Sequence, residues 1–392
     1  PYTTLFRSIG PGMSRSLARS LVVAEPLIPF PVERVQQTLI TWYRRHRRDL
    51  PWRRTNDPYR IWLSEVMLQQ TRVDTAIAYY ERFVRRFPNL EALAAAPVEE
   101  VLKLWEGLGY YRRARNFHAA AREVCEHYGG VVPDDPAVFG RLPGVGPYTL
   151  GAVLSIAFGR ALPAVDGNVM RVVSRLTGFA EPIDKAAGRK YIEAVAERLV
   201  LQSAPGDWNQ AMMELGALVC KPRQPSCEAC PVAGWCVANQ NGNAEALPLK
   251  GESAPVQEVD RAVAVLYSQG RVWLQKRPPE GLLAGLWDFP AVEAPWGTWN
   301  LPGEREKALL EGLREYGVRR PRILTMLGET THTFSHVRWR MTVYLCTGEA
   351  APQEGTCWAG RAELERLTLP KAVQRIVALL ESAGIWSSGA QR

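Results

Sequence analysis

The chain has 392 residues, 46% of them apolar, a formal net charge of +8 and seven cysteines. That length suffices for two cores, no apolar run approaches the roughly 20 residues of a membrane span, and no segment has the order of a signal peptide. A soluble, cytoplasmic protein is expected, nucleoid-associated if its source is bacterial. The charge surplus sits in residues 1–240, with 30 Lys and Arg against 23 Asp and Glu, while the remainder carries 18 against 17. A polyanionic partner for the first part is the expectation that follows.

Residues 1–29 are acid-poor, bear Arg and Ser, and place the first methionine at Met13; they read as a disordered or spurious extension. From Val32 to about Trp235 apolar residues recur at helical spacing between Pro and Gly, which predicts a mainly α domain over residues 30–238. Its arginine run, Arg44, Arg45, Arg47, Arg48, Arg53 and Arg54, fits either a polyanion or a solvated helix end. A helix is expected over Ile61–Thr71, entered after Asp57-Pro58. LPGVGPYT (Leu142–Thr149) places Gly144 and Gly146 between two helical segments, a turn that leaves backbone N–H groups beside a helix start and suits one DNA phosphate. Further on, AVDGNVMR sets Asp166 before Gly167 and Asn168, where an aspartate either caps the next helix or serves chemistry.

Four cysteines form C-x6-C-x2-C-x5-C: Cys220, Cys227, Cys230 and Cys236. Clustered thiols in a reducing compartment point to metal rather than disulfides. The spacing favours one cubane wrapped by four thiolates, with zinc on paired C-x2-C knuckles as the alternative. Cys125, Cys346 and Cys357 are isolated and read as small buried apolar residues. Residues 239–258 are polar, aperiodic and rich in Gly, Pro and Ser, as in a linker. Beyond it, β-type runs at Arg261–Tyr267, Arg271–Gln275 and Trp339–Cys346 surround a helix at Arg305–Tyr316. They predict a separate α+β domain over residues 259–385, followed by a tail at 386–392.

Taken in this order, the glycine hairpin, the aspartate in VDGNV and the cysteine spacing resemble the endonuclease III superfamily of base-excision glycosylases. WLSEVMLQQT (Trp62–Thr71), EGLGYYRRARN (Glu106–Asn116) and NQAMMELGALVC (Asn209–Cys220) are similar to the MutY-type adenine DNA glycosylases. The resemblance spans roughly residues 30–240. It implies a helix-hairpin-helix domain made of a six-helix module and an iron–sulfur module, with one [4Fe–4S] cluster on the four cysteines. It also implies a monomer acting on duplex DNA that carries A:8-oxoguanine or A:G mispairs; protein partners stay unknown.

Base excision must overcome a poor leaving group and an oxocarbenium-like sugar, and two carboxyls can divide that work. Glu65 lies among Leu63, Val66, Met67 and Leu68, so desolvation is expected to keep it protonated as the acid that donates to adenine N7. Asp166, near Asn168 at a helix start, is expected to stay ionised and stabilise the cation, electrostatically or through a transient sugar adduct. Strand-nicking relatives carry a lysine two residues after the hairpin's second glycine. Tyr148 stands there in this chain, which implies a monofunctional glycosylase.

By the same resemblance, Gln70, Thr71, Leu108 and Tyr110 would fill the stack around the opposing base, and Trp52, Arg53 and Gln210 would line an adenine pocket. Arg112, Arg113 and Arg115 would hold phosphates. In the second domain LREYGV (Leu313–Val318) resembles the Nudix signature, yet Leu310 and Arg314 stand where its arginine and a metal-binding glutamate belong. A Nudix-like module that binds without hydrolysing is therefore expected. THTFSHVRW (Thr331–Trp339) matches the Phe-Ser-His loop of modules that recognise 8-oxoguanine, which implies lesion contacts from Phe334, Ser335 and His336.

Overall fold

The computed structural model describes residues 28–252 and 254–386. The expectations for residues 1–27 and for the tail beyond Trp386 lie outside the described residues.

The first domain is helical: α1 (Val32–His46), α2 (Pro58–Leu68), α3 (Val73–Arg86), α4 (Leu90–Ala95), α5 (Val98–Leu104), α6 (Arg112–His127), α7 (Pro136–Phe139), α8 (Pro147–Phe158), α9 (Gly167–Thr177), α10 (Ala186–Leu199), α11 (Pro205–Leu218) and α12 (Val237–Gln240). α2 begins three residues before the expected Ile61, because Pro58 suits a first turn and Asp57 accepts the Tyr59 N–H at 3.0 Å. It ends at Leu68 rather than Thr71, since Gln69 leaves helical geometry and Gln70 adopts a positive φ of 57°.

Two apolar cores meet along a seam. One gathers aromatic side chains of α2, α3, α6 and α7, with Trp62 edge-on to Phe117 and Phe139 at 5.0 Å each. The other packs Leu39 and Tyr43 of α1 against Val172, Ile192 and Trp208 of α9, α10 and α11. Close approach across the seam depends on glycine. A Cβ on Gly206 of α11 would stand 2.7 Å from the Ser155 carbonyl oxygen of α8 across it, and within the second core one on Gly216 would stand 2.5 Å from Cβ of Asn168.

The stretch 239–258, expected as a linker, is docked on the helical domain in its first half. Leu247 is buried, its carbonyl accepts Arg175 Nε at 2.9 Å, and the Leu249 carbonyl accepts the Ile183 N–H at 3.0 Å. The crossing between domains follows Gly251, whose N–H reaches Asp184 at 2.8 Å.

The second domain holds β1 (Gln257–Ser268), β2 (Arg271–Lys276), β3 (Trp287–Asp288), β4 (Ala291–Pro295), β5 (Arg319–Thr333), β6 (Val337–Glu349) and β7 (Thr356–Ala359), with α13 (Glu304–Glu315), α14 (Arg361–Leu364) and α15 (Lys371–Ser382). The sheet runs β3-β2-β1-β6-β5, with β4 joined to β1 and β7 to β2, and β1 lies parallel to β6. Alternate residues of β1 feed two cores: Val263 and Val265 pack toward Ile376 and Leu380 of α15, and Ala262, Ala264 and Leu266 pack toward Leu309 and Leu313 of α13. β5 has no counterpart in the expected strands. It is an edge strand whose register shifts between Arg319/Arg322, Ile323/Thr325 and Met326/Gly328 interrupt the two-residue alternation. Among the described residues no helix is long and apolar enough to cross a membrane.

Candidate active site

A cleft of about 900 Å³ opens on the seam, walled by the end of α2, the 143–149 turn and the start of α9. Its floor is set by α2. That helix turns Glu65 inward until the residue is 5% exposed, and the Tyr148 hydroxyl donates to its Oε2 at 2.5 Å. Burial pushes the Glu65 carboxyl up to about 7; the Tyr148 hydrogen bond opposes the rise, Asp166 adds to it and Arg53 opposes it. The acid is therefore substantially protonated near neutrality. The Tyr148 hydroxyl, pushed well above its usual range by burial and by Glu65 and Asp166, remains a donor and lies 3.5 Å from Met213 Sδ.

Asp166 caps the next helix and also lines the cleft. Its Oδ1 caps α9 by accepting the Val169 N–H at 2.7 Å, and its Oδ2 accepts Asn168 Nδ2 at 2.7 Å. Burial raises its carboxyl above the usual aspartate range, and the Val169 and Asn168 donors and the Arg171 charge offset only part of that rise, so the group is harder to ionise than its position at a helix start suggested. Arg171 sets the Asn168 amide by donating to its Oδ1 at 2.8 Å, and reaches the Cys220 carbonyl at 2.7 Å. The loop leading to Asp166 is held by buried Asn209, which accepts the Ala164 N–H at 3.1 Å and donates to Ser155 Oγ and the Leu162 carbonyl, both at 2.8 Å.

Gly144 and Gly146 differ in kind. Gly144 has a φ of +78°, and a Cβ there would meet Asn116 Cβ at 2.7 Å. Gly146 caps α8, and a Cβ there would meet nothing within 4 Å, so this side of the turn is open to an approaching backbone. Gln70 is exposed at the cleft edge beside Thr71. Its positive φ is matched by Tyr110, at 48°, which is 48% exposed, and both residues line the cleft. Leu108 is instead buried in the first core.

The expected adenine-pocket residues sit behind Glu65 rather than on the cleft wall. Trp52 is buried edge-on against Tyr80 at 5.3 Å. Arg53 donates to Gln210 Oε1 at 3.1 Å and to Glu214 Oε1 and Oε2 at 3.0 and 2.9 Å. Glu214, 1% exposed, also receives Arg48. Burial works to raise its carboxyl, yet the two arginines hold it down at about 2. Sequence reasoning missed this residue, although its setting in AMMELGAL gives the signal that singled out Glu65: one carboxylate among apolar neighbours.

Of the three arginines expected on phosphates, Arg112 is exposed. Arg113 is spent internally, donating to the carbonyls of Val66, Met67 and Gly109 at 2.8, 2.9 and 3.2 Å, to that of Gln69, and to Thr71 Oγ1 at 3.2 Å. It closes the C-terminus of α2, whose last carbonyls lack helical partners. Arg115 donates to the Ala284 carbonyl of the second domain.

A second cavity, of about 1160 Å³, lies between the domains and shares Tyr110, Arg112 and Asn116 with the first. Its far wall is the 332–336 loop, and Tyr110 Oη lies 2.8 Å from Ser335 Oγ across the gap. Ser335 and His336 are exposed. Phe334 is half-buried, edge-on to Trp339 at 4.8 Å.

None of the four clustered cysteines is in a disulfide, and they are electrostatic neighbours in a part-buried loop. Buried Arg175 donates to Cys220 Sγ at 3.3 Å. Four thiolates in so confined a place need a cationic core, and four cysteines are the donor set of an iron–sulfur cluster. Among the described residues no group of three or more His, Cys, Asp or Glu is arranged to hold a single metal ion; the cluster assignment rests on the cysteine set and on the family match.

Residues 63–200 match the HhH-GPD superfamily of base excision DNA repair proteins, residues 220–236 the iron-sulfur binding domain of endonuclease III, and residues 261–379 the NUDIX domain. The adenine DNA glycosylase of Rattus norvegicus is 36% identical over 88% of this chain and 78% of its own length. This chain belongs to the adenine DNA glycosylase family. The Homo sapiens adenine DNA glycosylase is 39% identical over 78% of this chain, which spans 66% of that relative's length. A solved thermostable thymine-DNA glycosylase is 31% identical, covers 54% of this chain and 97% of its own, and superposes with a TM-score of 0.49. The family consists of DNA N-glycosylases; here its helix-hairpin-helix domain is joined to a Nudix-like domain, and residues 220–236, which contain the four clustered cysteines, are an iron–sulfur binding domain for a [4Fe–4S] cluster.

Proposed function

We propose that the chain hydrolyses the N-glycosidic bond of adenine paired with 8-oxoguanine or guanine in duplex DNA, without nicking the strand. The observation that carries this reading is Glu65: buried, held at about 7, and bonded to Tyr148 at 2.5 Å beside the Asp166 cleft. The adenine leaves the duplex at a cost of a few kcal/mol. Glu65 then delivers its proton to N7, so that the base departs neutral. Asp166, oriented by Asn168 and the Val169 N–H, sets a carboxylate against the positive sugar, and water then adds at C1′ and gives up a proton to complete the hydrolysis. Tyr148 donates to Glu65 and offers no amine to attack the sugar, which supports hydrolysis without strand scission. The cluster, when bound, supplies a cross-link that shapes the 220–236 loop.

For the opposing base, support comes from Tyr110 facing Ser335 across the second cavity, next to Phe334 and His336. Gln70 and Tyr110 serve as wedges, and the open Gly146 side of the hairpin takes a phosphate. Single-turnover excision by Glu65→Gln tests the chemistry. The variant keeps the shape but carries no transferable acid, so excision drops at least a hundredfold while duplex binding persists. Turnover at the unsubstituted rate removes Glu65 from this role.

A further inference from the structure

The turn that carries Tyr110 is conformationally demanding, with positive φ at Gly107 (98°), Gly109 (74°) and Tyr110 (48°). Its base is pinned from below, where the Tyr79 hydroxyl donates to the Glu106 carbonyl at 2.7 Å. From the other side it is gripped by the second domain. Glu106 Oε1 accepts the Leu369 N–H at 2.7 Å, and Glu106 Oε2 accepts Lys103 Nζ at 2.5 Å. Lys103 in turn donates to the Leu367 carbonyl at 2.9 Å. The pair is part-buried, with 33% and 19% of the side chains exposed, and a carboxylate accepting a backbone N–H there is a strong bond. By contrast, the interdomain pair Lys276–Glu99 at 3.2 Å is solvent-exposed and contributes little.

Leu369 leads through Pro370 into α15, whose Arg375 donates to the Thr331 carbonyl of β5. Four residues on from Thr331 stands Ser335, which meets Tyr110 at 2.8 Å. The contacts close a ring: the turn, Glu106, the start of α15, the end of β5, the 332–336 loop, and the turn again. A shift of the loop by an opposing base can therefore reach the turn by two routes, directly through Ser335 and Tyr110, or through α15 and Glu106.

We propose that Glu106, assisted by Lys103, is a positioning residue that registers the lesion-reading loop on the intercalating turn and so sets the preference for 8-oxoguanine over guanine, without touching DNA. This rests on the reading that the 332–336 loop meets the opposing base. The test is single-turnover adenine excision by the full chain, opposite 8-oxoguanine and opposite guanine. Glu106→Ala lowers the ratio of the two rates about tenfold, the scale of one charge-assisted bond, with the rate opposite guanine unchanged. Glu106→Gln retains an acceptor for the Leu369 N–H and restores most of the ratio. Lys103→Met lowers the ratio less and carries the test if Glu106→Ala does not fold. An unchanged ratio, or two rates that fall together, overturns the proposal while leaving the excision chemistry standing. An unsubstituted chain that excises adenine but shows no preference overturns both this proposal and the 8-oxoguanine reading.

Discussion

Two opposed effects act on one buried carboxyl beside the cleft. Burial favours the protonated form of Glu65, and the Tyr148 hydroxyl, donating at 2.5 Å, favours the ionised form; burial prevails, leaving the group at about 7. In Tyr148→Phe the ring still packs, but the bond that lowers the Glu65 pKa is gone. The alkaline limb of the pH–rate profile should then move upward, and a limb that stays or moves down contradicts the assignment of Tyr148 as the donor to Glu65. Glu65 was legible in the sequence because its apolar neighbours and its motif agree. Glu214 carries the same apolar setting, but that setting does not announce the two arginines, from positions 48 and 53, that neutralise it.

At the scale of elements, the end of α2 is a built junction. Arg113 of α6 gathers the carbonyls of Val66, Met67, Gln69 and Gly109, and Gln69 Nε2 reaches Thr149 Oγ1 of α8 at 3.0 Å. Glu65 and Gln70 are thereby fixed relative to the hairpin. Arg113→Ala leaves those carbonyls unpaired and should cost about 2–3 kcal/mol of stability, read as a lower denaturant midpoint, together with slower excision. A change within about 0.5 kcal/mol, as for an ordinary surface residue, contradicts the latch. In sequence Arg113 is one of several arginines and reads as a phosphate ligand, since composition gives charge but not direction. The helices themselves were legible from spacing and from caps such as Asp57-Pro58, whereas the bulged edge strand β5 has no period to detect.

Over the whole molecule, Glu65 lies on a seam between two helical cores and the 332–336 loop lies on another domain, and the two cavities share Tyr110, Arg112 and Asn116; under the proposed function this is where excision and recognition meet. The domain change was visible as a change of texture beyond the polar stretch 239–258, but the docking of Leu247 under Arg175 was not, because the polar composition of that stretch hides one buried leucine. The most direct test of the account uses an end-labelled duplex with one adenine opposite 8-oxoguanine, incubated with the full chain and divided between alkali and no alkali. The account predicts breakage at the adenine after alkali and little without it. An intact strand after alkali, or equal breakage without it, would contradict the account.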